Sequence, residues 1–193
     1  MPEISERVKL SLQAQENYLT THLPVLMQAG ASLGAALARG NKLLALGCPT
    51  IAQHMVAELT GRFVLERPGL PAICLSENNS AVTAILNDYG RNRVYVRQLM
   101  ALAQSGDFVL GFLAGGEQAA QDGIDQAQQM GLETLALELP GVEEGTATET
   151  FLIAAHLLCE KAEAELQRLQ PDRFPPPATT KGQRPPDGTA VQR

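Results

Sequence analysis

The sequence predicts an α/β fold in which a parallel sheet is flanked by helices, and two patterns indicate it. Short apolar runs recur at 42–47, 71–75 and 108–113, as expected of strands that are buried on both faces. Between these runs, apolar residues recur at three- and four-residue intervals, which is the periodicity of helices that pack on one side. Helices alternating with strands are typical of a layered α/β sheet.

The same patterns predict the helices and one further strand. A second short helix is expected at about 31–39, a helix over 117–130 and a strand at 134–139. A long last helix is predicted from 148 to 168, with His156 on its apolar side. Before all of these comes a long first helix, whose apolar stripe must be buried: Val8, Leu12, Leu19, Leu23 and Leu26.

The composition predicts one folded domain followed by a tail. A chain of 193 residues with 45% hydrophobic content suits a single domain with a sizeable core, which we assign to residues 1–170. Residues 171–193 are rich in proline and polar residues and have no periodicity, so we expect a disordered tail. Folding should not require this tail.

Cysteine use, hydropathy and charge exclude several classes of protein. The three cysteines are far apart and lack the spacing of a zinc site or of a secreted disulfide framework, which predicts a reducing cytoplasm. No apolar stretch approaches the length of a membrane span, so we expect no membrane association. Residues 107–170 carry twelve acidic residues against Lys161 and Arg168. This negative charge disfavours direct nucleic-acid binding and suits a basic protein partner.

One pair of side chains offers chemistry from its spacing alone. His54 and Glu58 are four residues apart, which places an imidazole and a carboxylate on one face of a helix. Such a pair can bind a divalent metal or transfer protons. More often it is only a solvated helix face or a structural hydrogen bond.

Five segments together resemble a known family: residues 43–47, 52–63, 66–73, 87–90 and 106–110. They are similar to the sugar isomerase (SIS) domain proteins of the sedoheptulose-7-phosphate isomerase type, and the match covers roughly residues 5–168. The His-x-x-x-Glu-Leu-Thr-Gly-Arg-Phe and Glu-Arg-Pro-Gly-Leu-Pro-Ala segments are fairly specific. The same group contains the bacterial DnaA initiator-associating protein, to which the sequences around His54 and His156 are somewhat closer.

The resemblance implies a fold, an assembly and a site. The fold is a three-layer SIS-type parallel sheet flanked by helices, and the assembly is a homotetramer. In the isomerases, a histidine and a glutamate that match His54 and Glu58, and a histidine that matches His156, hold a metal, commonly zinc, and carry acid/base chemistry. Glu58 and His156 are then the catalytic pair, and Asp88 matches a substrate contact. The glutamine that the family places before the last histidine is here Thr148.

The family's phosphate loops are altered in this chain. The first loop is shortened to Gly47–Thr50 and contains Pro49, which lacks a backbone donor. The second loop, Leu113–Gln118, keeps Gly115 and Gly116 as candidate substrate contacts but contains no hydroxyl group, and Glu117 adds a carboxylate. About a dozen residues before the last helix are also absent, which predicts a reduced sheet.

Three functions stay open at this point. The leading prediction is an isomerase-like SIS protein that is weakly active or inactive, holds zinc weakly, and acts as a regulatory or scaffold oligomer. The first alternative is an active isomerase of the sugar phosphate sedoheptulose 7-phosphate. The second alternative is a regulator of replication initiation whose acidic half binds DnaA.

Overall fold

The computed structural model of the protein describes residues 4–115 and 117–174, and it confirms the α/β fold predicted from the sequence. Within these residues, parallel strands form one sheet: β1 (Leu43–Gly47), β2 (Ala72–Cys74), β3 (Phe108–Leu113) and β4 (Glu133–Glu138). Their order across the sheet is β2-β1-β3-β4. All predicted strands are therefore present within one or two residues of their expected bounds.

Helices lie on both faces of the sheet: α1 (Ile4–Ala38), α2 (Pro49–Thr60), α3 (Asn79–Tyr89), α4 (Val94–Leu102), α5 (Gln118–Gln129) and α6 (Glu144–Leu169). Alternate residues of β1 point to opposite faces, as the period of a strand requires. Leu43 and Ala45 pack with α1, α2 and α6, whereas Leu44 and Leu46 pack with α4 and α5. The molecule thus has three layers and two apolar cores, one on each side of the sheet.

Helices α1 and α6 run parallel to each other along almost their whole length. Arg7 of α1 forms an ion pair with Glu143 at one end, and the Gln170 amide donates to the Ala38 carbonyl at the other. Between these ends the two backbones approach closely: a Cβ added to Gly34 would lie only 2.6 Å from the Ala162 carbonyl oxygen, so only glycine fits there. Small residues at the contact therefore fix how α6, which carries His156, lies on α1.

The first helix differs from the prediction in two respects. It is one continuous helix through Pro24 and Gly30, where the sequence predicted a long helix and a second short one. Proline and glycine both disfavour a helix interior, but here the packing against α6 outweighs that cost. The predicted stripe is also only partly buried, since Val8 and Leu12 are 52% and 60% exposed while Leu26 is fully buried.

A buried ion pair joins the amino ends of β1 and β3. Asp107, which is 1% exposed, accepts hydrogen bonds from the Lys42 ammonium and from the backbone N–H groups of Lys42 and Gln104. Burial by itself would raise the pKa of Asp107, but these hydrogen bonds hold it below its ordinary value of 3.8. The carboxylate therefore stays ionised and ties the two central strands together.

The end of the domain lies just beyond α6. Pro171–Arg173 form a short 3₁₀ turn, and Phe174 packs partly buried against the core on the α1 and α6 side. Most of the predicted tail, residues 175–193, lies outside the described residues. Of the helices in the part of the chain that the structure describes, none combines the length and hydropathy needed to cross a membrane.

Candidate metal centre

Three of the residues predicted from the sequence meet between α2 and α6. The Nε2 atoms of His54 and His156 lie 2.8 Å apart, and the His54 Nε2 atom lies 3.4 Å from Oε1 of Glu58. One ligand atom from each of the three side chains lies within 4.8 Å of the others. Residues 102 positions apart in the chain therefore form one cluster of two imidazoles and a carboxylate.

The local sequence of each helix explains why this cluster faces outwards. Met55 and Leu59 of α2 are fully buried, so His54 and Glu58, which precede them, lie at the edge of the buried face. On α6, half-buried His156 directly follows buried Ala155 and so also lies at the edge of the buried face. The His54 and Glu58 side chains keep 37% and 23% of their surface exposed, so a ligand can reach them.

The donor set fits a divalent metal, and zinc in particular. Zinc binds imidazole nitrogen and carboxylate oxygen, and three protein ligands leave a fourth position of the tetrahedron open. Donors at zinc distances of ~2.0–2.1 Å in tetrahedral geometry lie about 3.3 Å apart. The separations of 2.8 and 3.4 Å are close to that value, and the remaining pair of donors, on His156 and Glu58, lies within 4.8 Å, so side-chain rotations would bring all three donors to zinc distances.

Cys159 lies one turn beyond His156 on α6 but does not belong to the cluster. Its side chain is fully buried, and burial raises the pKa of the thiol to about 12, with a further contribution from the carboxylates of Glu58 and Glu163. A metal-binding cysteine must be a thiolate. Cys159 is therefore a packing residue.

A second, fully buried group of charges lies directly behind the cluster. Arg67 and Glu163 are each 1% exposed, and the Arg67 Nε atom donates to Oε1 of Glu163 over 2.8 Å. The sequence analysis did not single out either residue. Two signals could have indicated them: Arg67 lies in the Glu-Arg-Pro-Gly-Leu-Pro-Ala motif, and Glu163 is a charged residue on the apolar side of α6.

The turn between β1 and α2 is tight, as the shortened first loop predicts. Gly47 has φ +89°, and a Cβ there would lie only 2.2 Å from the Phe112 carbonyl oxygen. That same carbonyl accepts a hydrogen bond from the backbone N–H of Cys48 over 2.8 Å. The Cys48 N–H is thus already occupied, and Pro49, which follows, has no backbone N–H. The turn therefore offers a phosphate fewer backbone donors.

The second loop lies between β3 and α5. Gly115 is exposed with φ +69°, and Gly116 lies outside the described residues. Glu117 is the N-cap residue of α5, but its side chain makes no capping hydrogen bond. The Glu117 carboxylate instead lies 3.9 Å from the Arg91 guanidinium. The start of α5 therefore carries a negative charge that is only partly neutralised.

Two predicted features lie apart from the cluster. Asp88 is exposed in the last turn of α3 and contributes no atom to the group of His54, Glu58 and His156. A cavity of about 440 Å³ at the carboxyl ends of β3 and β4 is lined by Gly115, among other residues, but by none of the three cluster residues. Within the described part of a single chain, this cavity and the cluster therefore share no lining residue.

Comparisons with known proteins show which family this chain belongs to. The sequence model of the SIS domain family matches residues 10–138. A phosphoheptose isomerase from Pelobacter propionicus is 36% identical over 163 residues, which cover 74% of this chain and 86% of that protein. A phosphoheptose isomerase from Geobacter sp. (strain M21) is also 36% identical, over 83% of this chain and 96% of that protein.

Solved structures show the same fold. A phosphoheptose isomerase from Francisella tularensis superposes with a TM-score of 0.77 at 24% identity, covering 83% of this chain and 96% of that one. The phosphoheptose isomerase from Neisseria gonorrhoeae gives a TM-score of 0.73, also at 24% identity, over 84% of this chain and 100% of that one. These phosphoheptose isomerases are thus similar to this chain in sequence and in fold, and the chain belongs to the SIS domain family.

Proposed function

We propose that this protein is a sugar isomerase of the phosphoheptose isomerase type that acts through His54, Glu58 and His156. The observation that carries the proposal is the convergence of these three side chains between α2 and α6, with ligand atoms within 4.8 Å of one another. An acid, a base and a metal ligand set are what proton transfer between neighbouring carbons requires. This gives the active isomerase, first considered as an alternative, precedence over a pure scaffold.

The proton transfers can be assigned to two side chains. A base removes the proton from the carbon next to the sugar carbonyl, while an acid protonates the carbonyl oxygen, which gives an enediol. In the second half, the protonated base gives its proton to the former carbonyl carbon, while the hydroxyl group on the adjacent carbon returns a proton to the deprotonated acid and becomes the new carbonyl. The ketose is thereby exchanged for the aldose without net gain or loss of protons. We assign Glu58 as the base, because a carboxylate accepts a proton, and His156 as the acid, because an imidazole in its charged form donates one; both side chains are half-buried.

The metal in this proposal would be zinc, held through His54. Glu58 and His156 would complete its ligand set when neither side chain carries the transferred proton, because metal ligands must be deprotonated. When bound, zinc polarises the carbonyl and stabilises negative charge on the sugar oxygens. The Nε2 atoms of His54 and His156 lie 2.8 Å apart, which is hydrogen-bond distance. A zinc ion held by both nitrogens would take the place of the shared proton.

The substrate class follows from the relatives, which are named phosphoheptose isomerases. We propose sedoheptulose 7-phosphate as the substrate, bound with low affinity. The tight turn at Gly47 and the carboxylate of Glu117 supply few donors for a phosphate dianion. Since phosphate contacts orient the reacting carbons, their weakness lowers turnover as well as binding. The exposed stripe of α1 supports assembly into a homo-oligomer, for which we propose the tetramer.

The test is conversion of sedoheptulose 7-phosphate by the purified full-length protein, followed by NMR after metal removal and again after zinc is restored. We expect slow, zinc-dependent turnover that Glu58→Gln and His156→Ala lower by about 10²-fold or more, as loss of a general base or acid does. His22→Ala is the matched control, because His22 stacks on Tyr18 in α1 and lies outside the cluster. Turnover that survives both cluster variants would refute the assignment.

A scaffold or regulatory role is the second candidate, and one observation favours it. Glu117 places a carboxylate at the start of α5, where the resemblance implies phosphate binding. An oligomer that binds neither zinc nor the sugar phosphate, yet folds normally after Glu58→Gln, would support this candidate. DnaA would then be the first partner to test, because residues 107–170 are strongly acidic.

A further inference from the structure

The buried pair of Arg67 and Glu163 connects three segments of the chain at one point. The Glu163 carboxylate, on α6, accepts hydrogen bonds from the backbone N–H groups of Phe63, Val64 and Leu65 over 3.4, 3.1 and 3.0 Å. It also accepts the 2.8 Å hydrogen bond from Arg67. One carboxylate therefore fixes the segment that follows α2 against the last helix.

The Arg67 guanidinium continues the connection to the end of α2. Its Nη1 atom donates to the Leu59 carbonyl over 2.8 Å, and its Nη2 atom donates to the Glu58 carbonyl over 3.0 Å. These are carbonyl groups of the last turn of α2, which have no partners within the helix. Arg67 thus holds the backbone of Glu58, one of the three cluster residues, from behind.

A second route leads from the same pair to His156. Phe63, whose backbone N–H donates to Glu163, places its ring against the His156 imidazole with centroids 5.2 Å apart and planes inclined by 31°. Glu163 also lies seven residues after His156, two turns further along the same side of α6. Both sides of the cluster are therefore tied to one buried ion pair.

We propose that Arg67 and Glu163 are positioning residues, which set the separation of α2 and α6 and thereby hold His54 and Glu58 against His156. The proposal concerns the geometry of the cluster, and its consequence for zinc rests on the proposed function. Neither residue touches the ligand. Residues that orient metal ligands from behind commonly change metal affinity by 10–100-fold when they are replaced.

The chain offers a matched control for a merely structural role. Asp107 is also 1% exposed and also accepts hydrogen bonds from backbone N–H groups and from a cation, Lys42. Its pair joins the amino ends of β1 and β3, whereas α2 starts from the carboxyl end of β1. Glu163→Gln and Asp107→Asn are therefore the same chemical change at two comparable buried sites, of which only one adjoins the cluster.

The first measurement is zinc affinity, by competition with a chromophoric chelator, for the wild type, Glu163→Gln and Asp107→Asn. We expect Glu163→Gln to weaken zinc binding at least about 10-fold and Asp107→Asn to change it less than about twofold. Arg67→Lys keeps the positive charge but loses the planar fork of donors, so it should fall between them. Arg67→Lys also takes the place of Glu163→Gln if that variant does not fold.

The second measurement needs no metal. The chain has three histidines, so its imidazole NMR signals can be assigned one by one. In zinc-free protein, Glu163→Gln should shift the signals of His54 and His156 and leave His22, on α1, unchanged. If both signals stay in place, or if Asp107→Asn weakens zinc binding equally, the positioning role is refuted. If the signals shift but the wild type binds no zinc, the positioning role stands and the proposed metal function fails.

Discussion

Replacing Glu117 with serine should restore phosphate binding at the start of α5. The carboxylate is 25% exposed, lies at the N-cap and makes no capping hydrogen bond. A carboxylate repels a phosphate dianion about 7 Å away by roughly 5 kcal/mol at an effective dielectric constant of about 20, and by about 2 kcal/mol at the value of about 40 that suits a solvent-accessible site. Arg91 offsets part of this repulsion, but it is 76% exposed and 3.9 Å away, so its effect is screened.

The expected gain in binding is therefore about 1–2 kcal/mol, or roughly a 10-fold lower KM for sedoheptulose 7-phosphate. A serine hydroxyl at the N-cap also stabilises the helix, typically by ~1 kcal/mol relative to a residue that does not cap. KM from steady-state kinetics and the melting temperature from thermal unfolding separate the two effects. A change in KM reports the effect of the charge on phosphate binding, and a change in melting temperature reports the effect of the new cap on stability.

Glu143→Ser provides the control for this prediction. Glu143 is the N-cap residue of α6 and, like Glu117, makes no side-chain capping hydrogen bond. Its replacement also removes the exposed ion pair with Arg7, just as Glu117→Ser removes the contact with Arg91. Because exposed ion pairs contribute little, the new cap should still raise the melting temperature, and KM should not change. If Glu117→Ser raises stability like Glu143→Ser but leaves KM unaltered, phosphate does not bind at the start of α5, and the reasoning about Glu117 is wrong.

Two further predictions concern stability. Hydrogen bonds hold the pKa of Asp107 below 3.8 in the folded protein, so its carboxylate stabilises the fold fully above about pH 4, and this stabilisation is lost as the pH falls through the lower folded-state pKa. Between pH 7 and pH 3, the free energy of unfolding measured in urea should therefore fall less for Asp107→Asn than for the wild type. Gly34→Ala should destabilise the protein by about 1–2 kcal/mol, because overpacking against Ala162 outweighs the better helix propensity of alanine. At Gly145 an added Cβ meets no atom within 4 Å, so Gly145→Ala should stabilise the protein slightly. If urea unfolding gave the same change in the free energy of unfolding for both variants, the close contact at Gly34 would be contradicted.

The sequence was sufficient to predict the strands and the cluster, for different reasons. The runs that became β1 and β3 are apolar at every position because both sheet faces are covered, and this leaves a clear signal. His54 and Glu58 are one turn apart, so their proximity is fixed by the helix itself. The meeting with His156 came only from the resemblance to a family, because no local pattern relates residues 102 positions apart.

Other features depended on contacts that a single sequence does not reveal. The continuity of α1 through Pro24 and Gly30 is set by α6, which lies more than a hundred residues away in the chain. The pairing of Arg67 with Glu163 is equally non-local, since 96 positions separate the two residues. Local propensity predicts that the helix breaks near Pro24 and Gly30, and that Arg67 and Glu163 are solvated. Tertiary packing instead keeps the helix continuous and buries the two charges.

The parallel packing of α1 on α6 determines when the cluster can form during synthesis. A ribosome makes the chain from the amino end at about 5–20 residues per second, so α1 emerges long before the helix that covers it. Contacts of such wide separation in sequence also form slowly, because a long loop must close first. Until α6 leaves the ribosome, the nascent chain exposes the apolar face of α1 and holds His54 and Glu58 without His156. The cluster is therefore completed among the last events of folding, and a chain that ends before α6 lacks the third ligand, His156.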